Sequence, residues 1–439
     1  EDILPKHRKV LELYFLKKHF PSKQKFNLNI IQILFNAFML IFTIMSTIFF
    51  ALRSGKNIGT YTGDFIYKDT KSDFRLNHLY EKYKENNVQF IEFIRPTSIK
   101  NFYVNIFKRK RFAIYYTSII YFVDLFTRKT ETNNQPKNFT QEILYKYHRA
   151  NIVLLKSTQI LETILKILRI DKFVLISFSS RSAHLAVAAK SLGIKTIGIM
   201  HGLDHKDYAV FMFMESYREE KKIGLDVFGV WSEDYLAYIK KYSKMSNLDS
   251  FQHSGLLRPM KEFKPLKFFE RVSVKKIKVL LISEPLVHIS EIIPYLKHLL
   301  KNNSFEVGIK VRPMIQDEYY ENMKNQFPEI KELKVHDGKL EDIADIYDVF
   351  IGSNSTAIIE ASLFGKLSIL LKTVKFDDYF DMNQLIQERN LLVENPSDLT
   401  NEIQFRVENE KKLKTINKIK YKFFGSNKDG AEWIINQLK

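Results

Sequence analysis

The chain of 439 residues contains no cysteine. This absence excludes disulfides, cysteine-based zinc sites, iron–sulfur clusters and a thiol nucleophile. The sequence also lacks a Gly-x-Gly-x-x-Gly run after a strand and a Gly-x-x-x-x-Gly-Lys-Ser/Thr run, so the motifs of dinucleotide-binding and P-loop proteins are missing. No set of His, Asp and Glu residues has the spacing of a metal site, and we expect no metal requirement and no cofactor.

Acidic residues are fewer than basic ones, with 50 Asp and Glu against 68 Lys and Arg, and the formal net charge is +18. A nucleic acid, an anionic membrane face or an anionic substrate would each suit such a chain. The positive charge is spread along the sequence, without a concentrated basic arm or an RNA-binding aromatic motif. A solvated lysine-rich surface is the simplest interpretation, membrane attraction comes next, and we expect no nucleic acid partner.

No charged residue occurs between Phe26 and Leu52. A bilayer span needs about 20 apolar residues, so the length permits one, but four amide side chains dilute the first third of the run. Three interpretations stay open: a helix lying in or re-entering the membrane, a buried or partner-binding helix, and a true span. Basic residues flank both ends, which favours an anionic leaflet, and residues 1–56 are predicted to associate with a membrane surface. The chain begins with Glu1, which predicts a truncated start.

From residue 57 onward, buried strands alternate with amphipathic helices, a pattern typical of doubly wound α/β folds. We predict a first Rossmann-like domain over 57–258, a basic linker over 259–276, a second Rossmann-like domain over 277–425 and a C-terminal helix over 426–439. Several local expectations belong to this interpretation. The aromatic-rich stretch Pro96–Leu125 is predicted to be helical, Ala357–Phe364 is predicted to be a helix that Gly365 caps, and Lys334–His336 is predicted to be an edge strand.

The pattern of the stretch Leu340–Leu371 predicts a short helix, a buried strand, a polar turn, a helix and another buried strand. The turn is Ser353-Asn354-Ser355-Thr356, and it follows the carboxyl end of its strand, where open α/β sheets bind ligands. The free N–H groups at the start of the next helix suit a phosphate.

A second cluster, Lys310-Val311-Arg312-Pro313, follows an earlier strand of the same sheet. A guanidinium beside helix N–H groups makes a site for a mono- or diphosphate. Glu360 lies on the same helix face as Ser355 and Thr356, where its carboxylate would accept hydrogen bonds from a ribose. The plainer interpretation is that Ser353 only caps a helix and that Glu360 is a surface residue.

The first half contains a similar unit over Lys172–Met200, whose polar turn Ser179-Ser180-Arg181 would bind an anionic acceptor or cap a helix. His201 and Gly202 directly follow its last strand. A histidine at a strand end can take a proton from a hydroxyl, although a packed core or loop histidine is the alternative. Asp204 is a nearby candidate, and Glu284 follows the first strand of the second half.

Three segments carry a family resemblance: GIKTIGIMHG over 193–202, KVRP over 310–313 and DVFIGSNSTAIIEASLFGKLSILLKT over 348–373. They resemble bacterial GT-B glycosyltransferases of surface polysaccharides, in particular CDP-glycerol glycerophosphotransferases, capsule Kdo transferases and polysialyltransferases. The resemblance covers about residues 170–430. Some of these families have His-Pro where this chain has Arg312-Pro313, and others have Thr-Pro where it has Leu203-Asp204, so the donor stays open.

The resemblance implies a two-domain GT-B fold with an acceptor domain over 57–258 and a nucleotide-donor domain over 277–425. It implies His201 as general base, with Arg312, Ser353, Ser355 and Thr356 near the donor phosphate and Glu360 near the donor sugar. The resulting assignment covers three groups: catalytic His201, Asp204 and Glu284; donor-binding Lys310, Arg312, Pro313, Ser353, Asn354, Ser355, Thr356 and Glu360; acceptor-binding Ser179, Ser180 and Arg181.

The implied function is an inverting transfer of a sugar from a CMP-, CDP- or UDP-linked donor to a bacterial capsule, lipopolysaccharide or teichoic-acid-like glycan. The expected partners are the nucleotide-sugar donor, a glycan or lipid-linked acceptor and the membrane surface. We expect the protein on the cytoplasmic face of the bacterial inner membrane, peripheral or monotopic. The alternatives are a non-hydrolysing sugar-nucleotide epimerase and a non-catalytic, membrane-attached scaffold subunit.

Overall fold

A computed structural model gives the structure of the chain. It describes residues 30–53, 55–63, 73, 75–83, 88–96, 99–108, 112–130, 139–176, 182–200, 202–203, 225–242, 248–257, 276–283, 287–311, 316–336, 338–374, 376–386, 391–425 and 428–439.

The first half forms a six-stranded parallel sheet with the order β2-β1-β3-β4-β5-β6. Its strands are β1 Lys56–Gly63, β2 Val88–Arg95, β3 Ile170–Leu175, β4 Lys195–Ile199, β5 Val227–Val230 and β6 Phe251–His253. The central strands are almost continuously apolar because helices cover both faces of a parallel sheet.

The second half forms another six-stranded parallel sheet, with the order β12-β11-β10-β7-β8-β9. Its strands are β7 Ile277–Ile282, β8 Phe305–Lys310, β9 Lys334–His336, β10 Val349–Gly352, β11 Leu367–Leu371 and β12 Leu392–Val393. The predicted edge position of Lys334–His336 is confirmed, since β9 ends the sheet.

Helices connect the strands. They are α1 Ile30–Ala51, α2 Asn77–Lys82, α3 Ile99–Tyr103, α4 Tyr116–Thr130, α5 Phe139–Ile167, α6 Ala183–Ser191, α7 Glu233–Tyr242, α8 Ile289–Lys301, α9 Gln316–Gln326, α10 Leu340–Ile343, α11 Thr356–Glu360, α12 Met382–Ile386, α13 Leu399–Leu413, α14 Thr415–Phe424 and α15 Gly430–Leu438. Short 3₁₀ turns cover Leu248–Ser250, Pro328–Glu332, Ala344–Ile346, Ala361–Phe364 and Pro396–Asp398.

Each sheet has a point where the direction of strand addition reverses. In the first sheet this point lies between β1 and β3, and in the second it lies between β7 and β10. Crevices at the carboxyl ends of such strand pairs are the usual ligand sites of open α/β sheets. The predicted fold class, two doubly wound α/β sheets preceded by an apolar helix, is confirmed.

The helix predicted over Ala357–Phe364 is present, but only its first part is α-helical. The α-helix begins at Thr356, ends at Glu360 and tightens into a 3₁₀ turn over Ala361–Phe364. The Ser362 hydroxyl donates to the carbonyl of Ile359 at 2.8 Å and so offers that oxygen a partner outside the helical ladder. Gly365 ends the turn in the left-handed region with φ of 69°, as its predicted capping role requires.

The prediction of a helix throughout Pro96–Leu125 is also wrong in part. After α3 the chain makes a π-helical turn over Val104–Lys108, and Ile114 forms a parallel bridge with Phe93 before α4 begins. The amide of Ile114 donates to the carbonyl of Glu92, and the amide of Ile94 donates to the carbonyl of Ile114, both at 2.8 Å. These bonds satisfy backbone groups on the outer edge of β2, which explains why the helix is interrupted there.

Helix α1 packs on α4 and α5. Among the described residues it is the one helix that is long and apolar enough to cross a membrane, a criterion of length and composition that core helices and signal sequences also meet.

The C-terminal segment returns from the second sheet to the first. In α14, Phe424 stacks on Trp231, with ring centroids 5.3 Å apart, and α15 packs on α2 and β4. The Nζ of Lys195 donates to the side chain of Gln437 at 3.0 Å. One apolar cluster therefore runs through both halves, from Phe50 to Phe424.

Candidate functional site

The candidate site lies at the carboxyl ends of three adjacent strands, β8, β7 and β10. Ser283 follows β7, Lys310 ends β8 and Ser353 follows β10. The amide of Ser283 donates to the carbonyl of Lys310 at 2.9 Å, which holds two of these strand ends in register. The carboxyl ends of the strands at and beside the reversal point of the second sheet therefore carry a cation and two small hydroxyl residues.

Lys310 is a buried cation, with 8% of its surface exposed. Its Nζ donates to the carbonyl of Val311 at 2.7 Å. Lysine is rarely buried unless its charge has partners, so a fixed ammonium at a strand end is a strong local feature. The sequence predicted Lys310 as a donor-binding residue, and the structure brings it to the sheet edge that also carries Ser353.

The polar turn after β10 is tightly built. A Cβ on Gly352 would lie 2.7 Å from the Cδ1 of Ile358 and 3.1 Å from the carbonyl oxygen of Ile282, so only glycine lets β10 approach its neighbours here. Ser353 is buried, and its hydroxyl donates to Oδ1 of the half-buried Asn354 at 3.2 Å. The residue that caps α11 is Ser355, which accepts from the Ala357 amide at 3.4 Å, so the cap role considered for Ser353 belongs to Ser355.

Thr356 connects this turn to the other sheet. Its Oγ1 accepts a hydrogen bond from the amide of Leu203 at 3.1 Å, across 153 positions of sequence. A Cβ on Gly202 would come within 3.2 Å of the same oxygen. The segment that follows β4 and the polar turn that follows β10, two clusters predicted separately from the sequence, therefore meet.

Trp231 fixes the end of β4 from the other side. Its Nε1 donates to the carbonyl of Met200 at 2.9 Å, and the indole itself is buried under Phe424 of α14. The end of β4 is thus held by β5, α14 and α11 together.

Several predicted site residues lie outside the described residues, and their roles stay predictions: His201, Asp204, Glu284, Arg312, Pro313, Ser179, Ser180 and Arg181. Glu360 is the last residue of α11 and is half-buried, and its contact with a ribose also stays a prediction. Among the described residues, no group of three or more His, Asp and Glu residues is placed to hold a metal ion.

The sequence analysis missed Asp73. This carboxylate is fully buried, accepts from the Gly63 amide at 2.8 Å and forms a fork with Nε and Nη2 of Arg75 at 2.9 and 2.6 Å. It therefore holds the carboxyl end of β1 at the reversal point of the first sheet. No motif signals this role, because its partner Gly63 lies ten residues earlier in a different element.

A second missed contact joins the two halves. The Tyr238 hydroxyl of α7 donates to a carboxylate oxygen of Asp381, which precedes α12 and has φ of 49°. Non-glycine residues rarely adopt the left-handed region, which costs them conformational energy. The contact with Tyr238 helps to hold Asp381 in this conformation.

His184 lies in the first turn of α6, just after the predicted acceptor turn. Its Nδ1 is 2.6 Å from the hydroxyl of Ser157 in α5. Burial lowers the pKa of His184 to about 4, so the imidazole is neutral at physiological pH.

No family model and no curated protein sequence matches this chain. Solved structures do match it. UDP-GlcNAc 2-epimerase from Methanocaldococcus jannaschii, in complex with UDP-GlcNAc and UDP, is 10% identical with a TM-score of 0.54, over 87% of this chain and 99% of that chain. The Neisseria meningitidis UDP-GlcNAc 2-epimerase bound to UDP-GlcNAc is 11% identical with a TM-score of 0.52, and Acinetobacter baumannii MurG is 11% identical with a TM-score of 0.50, both over 87% of this chain and 99% of the other. At such identities the likeness shows the fold, and the fold is GT-B.

Proposed function

We propose that this GT-B chain is a glycosyltransferase that moves a sugar from a CMP-, CDP- or UDP-linked donor to a bacterial capsule, lipopolysaccharide or teichoic-acid-like glycan. The observation that carries the proposal is the hydrogen bond from the Leu203 amide to Thr356 Oγ1. Through it, the end of β4, which leads into His201, lies beside the polar turn of the second sheet.

The donor side uses the reversal point of the second sheet. A buried ammonium from Lys310 and the small hydroxyl residues Ser353, Ser355 and Thr356 suit a nucleotide phosphate, and Arg312 follows Lys310 by two positions. Two structures of similar fold are named as complexes with UDP-GlcNAc, which favours a nucleotide-sugar at this sheet.

The acceptor side uses the segment after β4. In the proposed reaction the acceptor oxygen attacks the anomeric carbon while the bond from that carbon to the phosphate oxygen breaks, with inversion. His201 takes the proton of the acceptor hydroxyl, and Arg312 with the first turn of α11 stabilises the departing nucleotide phosphate. Because these groups neutralise the leaving charge, the scheme needs no metal.

A nucleotide panel tests the donor site. We expect CMP, CDP, UDP or GDP, at about 100 times its Kd, to stabilise the wild-type chain by about 2.7 kcal/mol in a thermal-shift assay. Arg312→Ala should abolish the shift. Lys278→Ala is the matched control, because Lys278 lies at the amino end of β7, opposite the carboxyl ends that form the site, and its loss should leave the shift unchanged. A panel in which no nucleotide shifts the midpoint overturns the donor site.

Transfer itself is tested with the nucleotide-sugar of the winning class and a glycan acceptor. His201→Gln should abolish transfer and keep the nucleotide shift, because its proposed role is proton removal and not donor binding. Nucleotide binding without transfer by the wild-type chain to any acceptor would favour the non-catalytic scaffold.

The second candidate is a non-hydrolysing sugar-nucleotide epimerase, and the names of two similar structures favour it. Incubation with UDP-GlcNAc alone separates the two activities. An epimerase converts the sugar at C2 without an acceptor, which NMR of the sugar ring detects, whereas a transferase leaves it unchanged until acceptor is added.

A further inference from the structure

Helix α1 buries more polar residues against the domain than an ordinary surface helix does. The stripe that it buries against the domain contains Asn36, Thr43, Ser46 and Thr47 together with only two large apolar residues, Met39 and Phe50. A helix on a water-soluble domain buries its apolar stripe and turns polar residues outward. In α1 these polar residues face the protein, and half-buried Phe35, Phe42 and Phe49 pack on the domain beside them.

These inward polar groups are satisfied. The Thr43 hydroxyl donates to the carbonyl of Met39 at 2.9 Å and accepts from the Tyr115 amide at 3.0 Å, and the Thr47 hydroxyl donates to the carbonyl of Thr43 at 2.8 Å. The polar stripe therefore attaches α1 to the domain and requires no water.

The outward face of α1 is apolar and strongly exposed, from Ile30 at 69% to Ile48 at 57%. Within the described part of the chain, all exposed large apolar side chains lie between Ile30 and Ile167 except Val335, Val374, Phe405 and Tyr421. Monomeric soluble proteins rarely collect exposed apolar residues in this way, and such a patch marks an interaction surface.

A groove of about 610 Å³ continues this face between α1, α4 and α5. Its walls include Ile44 and Ile48 of α1, Phe122 and Phe126 of α4, and Ile160 and Ile164 of α5. Thr43 and Thr47 are the polar residues among its described walls, and both hydroxyls already have partners. A groove without free polar groups does not hold ordered water and suits a hydrocarbon chain.

We propose that α1, α4 and α5 form a surface that lies in the plane of an anionic bilayer and takes a phospholipid acyl chain in this groove. Basic residues adjoin the surface along the chain. Arg53 covers the Phe49 ring at 4.2 Å, and the sequence Lys108-Arg109-Lys110-Arg111 follows Phe107, which packs on Phe42 of α1. Their charge complements anionic lipids.

The packing of α1 on the domain indicates whether this helix lies in the plane of the bilayer or crosses it. Phe35 and Phe42 contact Phe102, with centroids 5.3 and 5.9 Å apart, and Phe49 stacks on Phe112 at 4.5 Å. From Phe35 to Phe49 the helix rises about 21 Å, so the domain follows it over most of a bilayer's thickness. A crossing would place the segments that pack along α1, including the non-helical Phe112, at membrane depth, where irregular backbone is tolerated only when protein covers it.

Vesicle flotation tests the surface and does not depend on the proposed enzyme activity. We expect the full chain to float with phosphatidylglycerol-containing vesicles and much less with pure phosphatidylcholine. The double variant Ile44→Glu, Ile48→Glu should reduce the bound fraction at least tenfold, because each carboxylate would enter hydrocarbon. Phe405→Glu is the matched control: it changes an equally exposed apolar residue on α13, away from the surface, and should float like the wild type.

Two flotation results overturn the proposal. One is equal loss of binding in Phe405→Glu and in the double variant. The other is a wild-type chain that does not bind vesicles and is dimeric while the double variant is monomeric. In that case a second copy of the chain would cover the apolar face.

Depth measurements test the in-plane arrangement. Leu34→Trp, Ile41→Trp and Ile48→Trp each place an indole on the outward side of α1. The depth of each indole is measured by the quenching of its fluorescence by brominated lipids, after subtraction of the signal from Trp231 and Trp433. An in-plane helix predicts similar depths for all three indoles. An Ile41→Trp indole at the bilayer centre, with the other two near opposite headgroup layers, would show a crossing helix and refute the proposal.

Discussion

Thr356 is the residue at which the two halves of the chain touch within the candidate site. Its helix is capped by Ser355, while its own hydroxyl accepts from the Leu203 amide. The same hydroxyl was predicted to lie near the donor phosphate. One atom thus links the segment that precedes Asp204 to the polar turn after β10, which we propose binds the nucleotide, and its removal should affect both.

We predict that Thr356→Val leaves the Leu203 amide without its acceptor and lowers the free energy of unfolding by about 1 kcal/mol. If the proposed transferase activity is established, kcat/KM should also fall, by roughly tenfold, because the two sides of the cleft lose their alignment. Urea titration and initial rates measure the two effects. Thr356→Ser keeps the hydroxyl and should restore both, so an equal defect in the serine variant would contradict the hydrogen-bond explanation.

A second prediction at this scale concerns His184. Its folded pKa of about 4 lies below its ordinary value of 6.5, so between these values the unfolded chain binds more protons than the folded one. The contribution of neutral His184 to the free energy of unfolding is therefore complete above pH 6.5 and decreases as the pH falls towards 4. Because the imidazole keeps some exposure, we expect a loss on the order of 2 kcal/mol over this range.

His184→Asn tests the prediction, since an amide can keep the bond to Ser157 but does not titrate. Thermal melts from pH 7 to pH 4 should show a smaller decrease in Tm for the variant than for the wild type. Parallel curves for the two proteins would mean that His184 is not responsible.

At the scale of elements, α15 is attached to the first sheet through its N-cap. Asp429 accepts from the amides of Ala431 and Glu432 at 2.8 and 3.3 Å, and it also pairs with Lys82 and His78 of α2 at 2.7 and 3.0 Å. Partial burial would raise the pKa of Asp429, but the hydrogen bonds from Lys82 and His78 outweigh it and lower the pKa to about 2. One side chain thus serves as a helix cap and an ion-pair partner.

Two substitutions separate these roles. Asp429→Asn keeps a capping oxygen and loses the charge, so it should cost about 0.5 kcal/mol at pH 7. Asp429→Ala loses both and should cost about 1 kcal/mol more. The stabilising effect of the charge is present above pH 4 and disappears as the pH falls through about 2, so urea titrations of the wild type and the asparagine variant should converge there.

At the scale of the whole molecule, α14 and α15 hold the two sheets together. The hydroxyl of Ser232 donates to the carbonyl of Lys422 at 2.6 Å, and Phe424 stacks on Trp231. In α15, Ala431, Ile434 and Leu438 are fully buried against the first half. The end of the chain therefore completes a core that begins several hundred positions earlier.

We predict that removal of residues 428–439 destabilises the first half by roughly 5 kcal/mol, because three buried side chains lose their apolar contacts. Calorimetry should show a lower Tm for the shortened chain. Ile434→Ala should cost about 3 kcal/mol, and Asn436→Ala, at an exposed position of the same helix, should stay within about 0.5 kcal/mol of the wild type. Similar effects at both positions would indicate that burial is not the cause.

Much of the fold was predictable from local patterns. The strands around Lys172, Lys195, Ile277 and Leu367 are short apolar runs between turn signals, and this is why the alternation of strands and helices could be predicted. The α11 region was only partly predictable, since the tightening at Ala361 depends on the Ser362 hydroxyl and on Gly365. For the candidate site, Lys310 and the turn Ser353–Thr356 were identified from their places at strand ends, whereas Asp73 and the Tyr238–Asp381 bond were not.

The sequence by itself determined the alternation of strands and helices, the absence of cysteine chemistry and the presence of a polar turn at a strand end, because these depend on neighbouring residues. Only the tertiary structure decided which side of α1 is buried. An uncharged run with scattered polar residues does not indicate which of its sides packs on the domain. It also decided that Leu203 meets Thr356, because a contact across 153 positions leaves no periodic trace in either segment. The meeting of the two sheets depends on how they pack, and packing is a property of the whole chain.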